Sequence, residues 1–192
     1  MASSSPDPTR AAARFTAFAT SGALALTQDL THAVLDSIGD MDGTDPELIA
    51  EETLCLVATA SARAAAVGLR DTPRQSDAVH AALLGFPFAY RDYLIGRAMI
   101  ATDDRSLSEA GEAVRSRLER KQMFYTSHLP ENQFPGPRAL GDKMELWMGR
   151  VSPPKLPESP QERLASLGLV DTVVAHCKLL LAYGRQGALP DE

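Results

Sequence analysis

The chain is poor in the residues and motifs that most often carry chemistry. Among its 192 residues there are two cysteines and no CxxC pair. Cys55 and Cys177 sit in the apolar runs "ETLCLVATA" and "VVAHCKLLL", which argues for small buried thiols in a reducing compartment rather than a disulfide or redox couple. The sequence has neither GxGxxG nor GxxxxGK[ST], so both nucleotide fingerprints are missing, and it has no GxSxG nucleophile elbow. Positive charge is not in excess: 19 basic against 25 acidic residues leave −6, which works against phosphate backbones and excludes nucleic acid as the expected partner. The densest basic stretch, "RSRLERK", carries Arg115, Arg117, Arg120 and Lys121 beside Glu112 and Glu119. It reads as a solvated helix whose cations complement the C-terminal end of the macrodipole. No uncharged run approaches the roughly 18 apolar residues of a membrane span. Arg10 and Arg14 before "FTAFATSGALALT" imitate an export signal, but Thr16, Thr20, Ser21 and Gly22 dilute it and the helical pattern runs on, so the expected location is cytoplasmic.

What the chain does have is helix punctuation. Proline suits the first helical position, and a short polar residue before it caps the end. The pair recurs as Asp7-Pro8, Asp45-Pro46, Thr72-Pro73 and Ser159-Pro160. Thr72 with Gln75, Ser159 with Glu162 and Ser106 with Glu109 have the capping-box spacing. Gly39, Gly68, Gly85, Gly149 and Gly184 follow apolar stretches, as C′ residues do.

Between these marks apolar residues recur every three or four positions. The stripes are Phe15, Phe18, Gly22, Leu26, Leu30, Val34, Ile38, then Leu107, Ala110, Val114, Leu118, Lys121, Tyr125, and finally Leu164, Leu167, Val170, Val174, Cys177, Leu181. After Glu52, "TLCLVATASARAAAV" contains one charge, Arg63, which predicts a central helix enclosed by the others. Nothing alternates with period two over a strand's length. The expected class is all-α: a single domain, a bundle of about seven helices around the Ala-rich helix 46–67. The helices are placed at 9–38, 46–67, 73–84, 88–101, 107–127, 138–149 and 160–184. Residues 1–8 form an expected disordered tail, 9–187 the helical domain with a Pro-rich strap at 152–159, and 188–192 a frayed end.

The stretch from "ELIAEETLCLV" through "AAAVGLRDTPRQSDAVHAALLGFP" resembles in rhythm an alkylhydroperoxidase-like helix pair. That family's redox chemistry belongs to a CxxC with a downstream histidine. This sequence has no such CxxC, and no residue role is carried over.

Candidate chemistry is sparse. His32, His80, His128 and His176 are evenly spaced, yet their flanks disagree, so no repeat is present. His32 and Asp36 stand one turn apart, without the Glu-x-x-His motifs of a di-iron bundle, and no metal or cofactor is expected. His176 and Cys177, as helical neighbours, do not face each other. The segment "GFPFAYRDYLIGRAM" gathers Phe86, Phe88, Tyr90 and Tyr93 with Arg91, Asp92 and Arg97. It fits core packing, an interface or an anion pocket. In "GDKMELWMGR", Met144, Leu146, Trp147 and Met148 must cover a core or meet a partner.

Two functions remain. The first is a non-catalytic protein acting by association, as a dimer or with another protein. Its candidate interface residues are Phe86, Phe88, Tyr90, Met144, Trp147 and Met148. The second is a binder of a small anionic or aromatic ligand, or an enzyme with an interhelical pocket, using Tyr90, Tyr93, Arg97, His128 and Trp147. In the connector "FYTSHLPENQFPGPRAL", Pro130 stops one helix, Gly136-Pro137 starts the next and Phe134 anchors the turn. His128, Asn132 and Gln133 are left as the rim of a site.

Overall fold

A computed structural model describes residues 8–38, 45–102, 107–151 and 168–186. They form six α-helices: α1 Pro8–Ile38, α2 Pro46–Gly68, α3 Pro73–Thr102, α4 Leu107–His128, α5 Pro137–Val151 and α6 Leu169–Gln186, with no strand among the described residues. The Pro-rich strap, Ser106 and Ser159 lie outside them.

Helix α2 is the axis of the fold. It packs against all five other helices, and α4, α3, α1, α6 and α5 pack neighbour to neighbour around it. Residues 51–65 are buried on every side of the helix, as the Ala-rich run after Glu52, with Arg63 its one charge, requires. Its start is fixed as the Asp-Pro pair predicts: the Asp45 carboxylate accepts hydrogen bonds from the backbone N–H of Glu47 at 2.9 Å and of Leu48 at 3.2 Å. Buried hydroxyls are satisfied within their own helix, Thr53 donating to the Ile49 carbonyl and Thr59 to that of Cys55.

Three expectations need correction. The helices placed at 73–84 and 88–101 are one helix, which passes through Pro87. Val79, Leu83 and Pro87 lie one turn apart and are all buried, so burial of this face outweighs the hydrogen bond that proline cannot donate. The helix expected to run unbroken over 160–184 is interrupted at Gly168, whose φ of 63° helical backbone does not adopt, so that α6 starts at Leu169; residues 160–167 lie outside the described residues. Gly68 and Gly184 are not caps but contacts. Each is helical, and a Cβ on Gly184 would stand 2.8 Å from the Gly68 carbonyl carbon, so α2 and α6 touch backbone to backbone.

Candidate functional site

The largest concentration of polar groups lies inside the bundle, where α2 meets α3, α4 and α5. Glu51 and Glu52 are adjacent on α2 and both carboxylates are buried. Neighbouring helical positions point about 100° apart, so each glutamate meets a different set of donors. Glu51 accepts from Arg117 Nε at 2.8 Å, Arg117 Nη2 at 2.6 Å and Lys121 Nζ at 2.8 Å. Glu52 accepts from Arg150 Nε and Nη2, both at 2.8 Å, and from the Tyr125 hydroxyl at 2.7 Å. Lys121 also stands 3.5 Å from Glu52 and so joins the two pairs. At the outer edge, the half-exposed Glu47 pairs with Arg91 Nη2 and lies 3.8 Å from Arg117.

The electrostatics follow from these contacts. Burial alone would raise the Glu51 carboxyl, but hydrogen bonds and charge from Arg117 and Lys121 outweigh it and hold the group below its ordinary value of 4.5. Arg117 is held above its ordinary range by its hydrogen bonds to Glu51, and Arg150 by those to Glu52. Burial, then the Glu52 charge, push the Tyr125 phenol up. Burial likewise raises both thiols, Cys55 further because Glu52 stands beside it and Cys177 to about 12. Thiols so shifted are not thiolates near neutrality and make poor nucleophiles.

Two further polar contacts stiffen the frame. Arg63, buried on α2, donates through Nε to the Leu129 carbonyl at 2.9 Å and through Nη2 to that of Thr126 at 3.4 Å, capping α4, while Nη1 meets His80 Nε2 at 2.7 Å. Ser61 Oγ and His176 Nε2 are 3.0 Å apart, a nucleophile-to-base distance. Ser61 is fully buried, however, and the His176 ring fills the space over Gly22, so this bond joins α2, α6 and α1.

A half-enclosed cavity of about 180 Å³ lies between α1, α2 and α3. Leu24, Leu54, Leu94 and the Tyr90 ring give it apolar walls; Thr27, Gln28, Thr31, His32, Glu51 and Arg91 are its polar members. Arg91 and Leu94 also border a second, more open groove between α3 and α4.

The expected ligand residues do not converge. Of Tyr90, Tyr93, Arg97, His128 and Trp147, Tyr90 alone lines the cavity. Tyr93 and Arg97 are on the outside of α3, the guanidinium 5.8 Å from the ring centre. His128 bonds the Phe124 carbonyl at 2.7 Å at the end of α4. Trp147, expected at a partner surface or pocket wall, is wholly inside the core, because its large apolar ring closes the bundle where α5 packs on α2 and α6. Phe88 packs against the core under Arg115; Phe86 and Tyr90 stack at 5.9 Å on the outer side of α3. The side chains of Met144 and Met148 lie outside the described residues. In the connector, Phe134 packs on the core as expected and Asn132 takes a left-handed φ of 60°, a geometry asparagine tolerates.

The Glu51–Glu52 cluster escaped the sequence reading. "RSRLERK" is not a wholly solvated face: Lys121 is buried, Arg117 reaches inward, and Gln122, placed opposite the apolar stripe, is buried and donates to Thr59. A signal was present, since Lys121 and Tyr125 occupy the stripe continuing from Leu118.

Compared with known proteins, the chain matches no family model, no curated protein and no solved structure. No helix among the described residues is long and apolar enough to cross a membrane.

Proposed function

We propose that the protein is a non-catalytic helical protein that acts by association, its partner a second copy of the chain docked on the outer face of α3. The observation that carries this reading is the stripe Phe86, Tyr90, Tyr93, Arg97 and Ile100. It spans about 21 Å of helix, and its Tyr93 and Ile100 are 58% and 87% exposed. The stripe is self-complementary. A two-fold axis at Tyr93 places Tyr90 opposite Gly96 and Arg97 opposite Ala89, a large side chain over a small one each time. A Cβ at Gly96 would meet nothing within 4 Å, so there is room for the opposing ring. Tyr and Arg are also the residues that interfaces favour. The non-catalytic part is supported by the condition of the reactive groups: both thiols are buried and raised, and Glu51 and Glu52 are saturated with donors.

The test is sedimentation equilibrium of the wild type with Tyr93→Glu and Ile100→Glu. The expected result is a concentration-dependent dimer that either substitution converts to monomer. A clean wild-type monomer at high micromolar concentration would overturn the reading. The pocket alternative keeps one observation in its favour, the cavity that Tyr90 shares with Arg91.

A further inference from the structure

The cavity between α1, α2 and α3 has the makings of an anion site. Arg91, at its edge, is only partly satisfied. The Nε–Nη2 edge of a guanidinium is a fork that matches a carboxylate. In Arg91, Nη2 meets a single oxygen of Glu47, while Nε is buried with no hydrogen-bond partner. A buried unpaired donor costs about 1–3 kcal/mol, so a second acceptor at this edge is worth having. Glu47 is a weak hold on that position, because its side chain is 52% exposed and can return to water.

The charges around the site are balanced: Arg91, Arg117, Lys121 and Arg150 meet Glu47, Glu51 and Glu52 within 4 Å, and the Asp45 carboxylate acts on Arg117 from further out. The opening for an acceptor is therefore the unpaired Nε and the loosely held Glu47, and a bound carboxylate exchanges with Glu47. Shape sets the rest of the ligand. A cavity of about 150 Å³ holds one benzene ring, and this one, at about 180 Å³, offers Leu24, Leu54 and Leu94 to an apolar body.

We propose that this cavity binds a small monocarboxylate with one ring or a short branched chain, its carboxylate on Arg91 in place of Glu47 and its apolar body against Leu24, Leu54 and Leu94. Gln28 and His32 stand at the α1 side of the same cavity. The site shares Tyr90 with the α3 dimer face, but the two tests are distinct: the ligand reads on Arg91, the dimer on Tyr93 and Ile100, so either fails without the other.

The probe is benzoate, titrated calorimetrically into the full chain, with benzamide and inorganic phosphate as controls. Benzoate is expected to saturate one site per chain, with benzamide and phosphate each weaker by at least about tenfold. Arg91→Met should lose about tenfold or more, and Leu24→Trp, which fills the cavity, should abolish binding. Glu47→Gln removes the internal competitor and should tighten binding about threefold or more. It also keeps the question decidable if Arg91→Met fails to fold. No saturable benzoate binding, benzamide binding as tight as benzoate, or indifference to both Arg91→Met and Glu47→Gln would each overturn the proposal.

Discussion

Glu51→Gln is the sharpest test of the cluster inside the bundle. The wild-type carboxylate takes three charge-assisted hydrogen bonds of 2.6–2.8 Å while its side chain is only 2% exposed. Glutamine keeps the shape, removes the charge and turns an NH₂ group toward cations. The two partners then fare differently. The Arg117 side chain is 39% exposed and can swing into water, but Lys121 is 5% exposed and stays where it is. Removing one member of a buried pair typically costs about 3–5 kcal/mol, mostly through the stranded charge. In a chain of this length that lowers Tm by about 6–20 °C. Glu51→Leu with Lys121→Leu removes both charges and should recover much of the loss, leaving Glu52 to Arg150 and Tyr125. Because the Glu51 pKa is depressed in the folded state, its contribution is present above 4.5 and fades as pH falls through the folded value. Chemical denaturation at pH 7 and pH 4 measures both effects. A loss under about 1 kcal/mol at pH 7, or a double variant no better than Glu51→Gln alone, would refute the stranded-charge argument.

Three further outcomes are expected. Gly184→Ala should cost about 1–3 kcal/mol, because its Cβ meets Gly68 backbone at 2.8 Å. Gly85→Ala, with open space at the same atom, should instead stabilise by about 0.5–1 kcal/mol, and paired thermal melts separate the signs. Burial depresses the pKa of His176, and burial with the Arg63 charge that of His80. Both bind their proton less readily folded than unfolded, so stability is complete above the ordinary 6.5 and falls as pH drops below it, a slope that His80→Gln with His176→Gln should flatten in denaturation curves taken between pH 7 and 5. Arg63→Met should cost about 2–3 kcal/mol by releasing the Leu129 carbonyl, and by NMR titration should move the His80 pKa partway back up, since its burial remains.

The sequence reading held where the responsible force acts locally and broke where it acts across the bundle. Asp45 caps α2 from two and three residues before the amides it serves, and Pro137 starts α5 beside Gly136; such signals need no knowledge of the fold. The Ala-rich run of α2 was legible for the same reason, since a run with one charge has to be enclosed whatever encloses it. Pro87 misled because its local cost is real, yet the buried face of Val79, Leu83 and Pro87 is set by packing on α2. The site was hidden for a deeper reason. Charged residues are read as solvent-facing unless their partners are known, and Glu51 finds its own 66 and 70 residues away, with those of Glu52 73 and 98 away.

What a linear reading can use is the inconsistency these partners leave behind. Lys121 on the stripe that contains Leu118 is a cation where the helix is otherwise apolar. A buried cation demands a carboxylate, and the adjacent glutamates just before a run with one charge are the natural source. Once Glu51 and Glu52 are drawn inward, Arg117 and Arg150 follow to saturate them, and Arg91 is left at the edge with a fork half filled. The unpaired Nε beside the cavity is thus what the saturation of Glu51 and Glu52 leaves over, and that remainder, rather than any motif, defines the ligand class to try first.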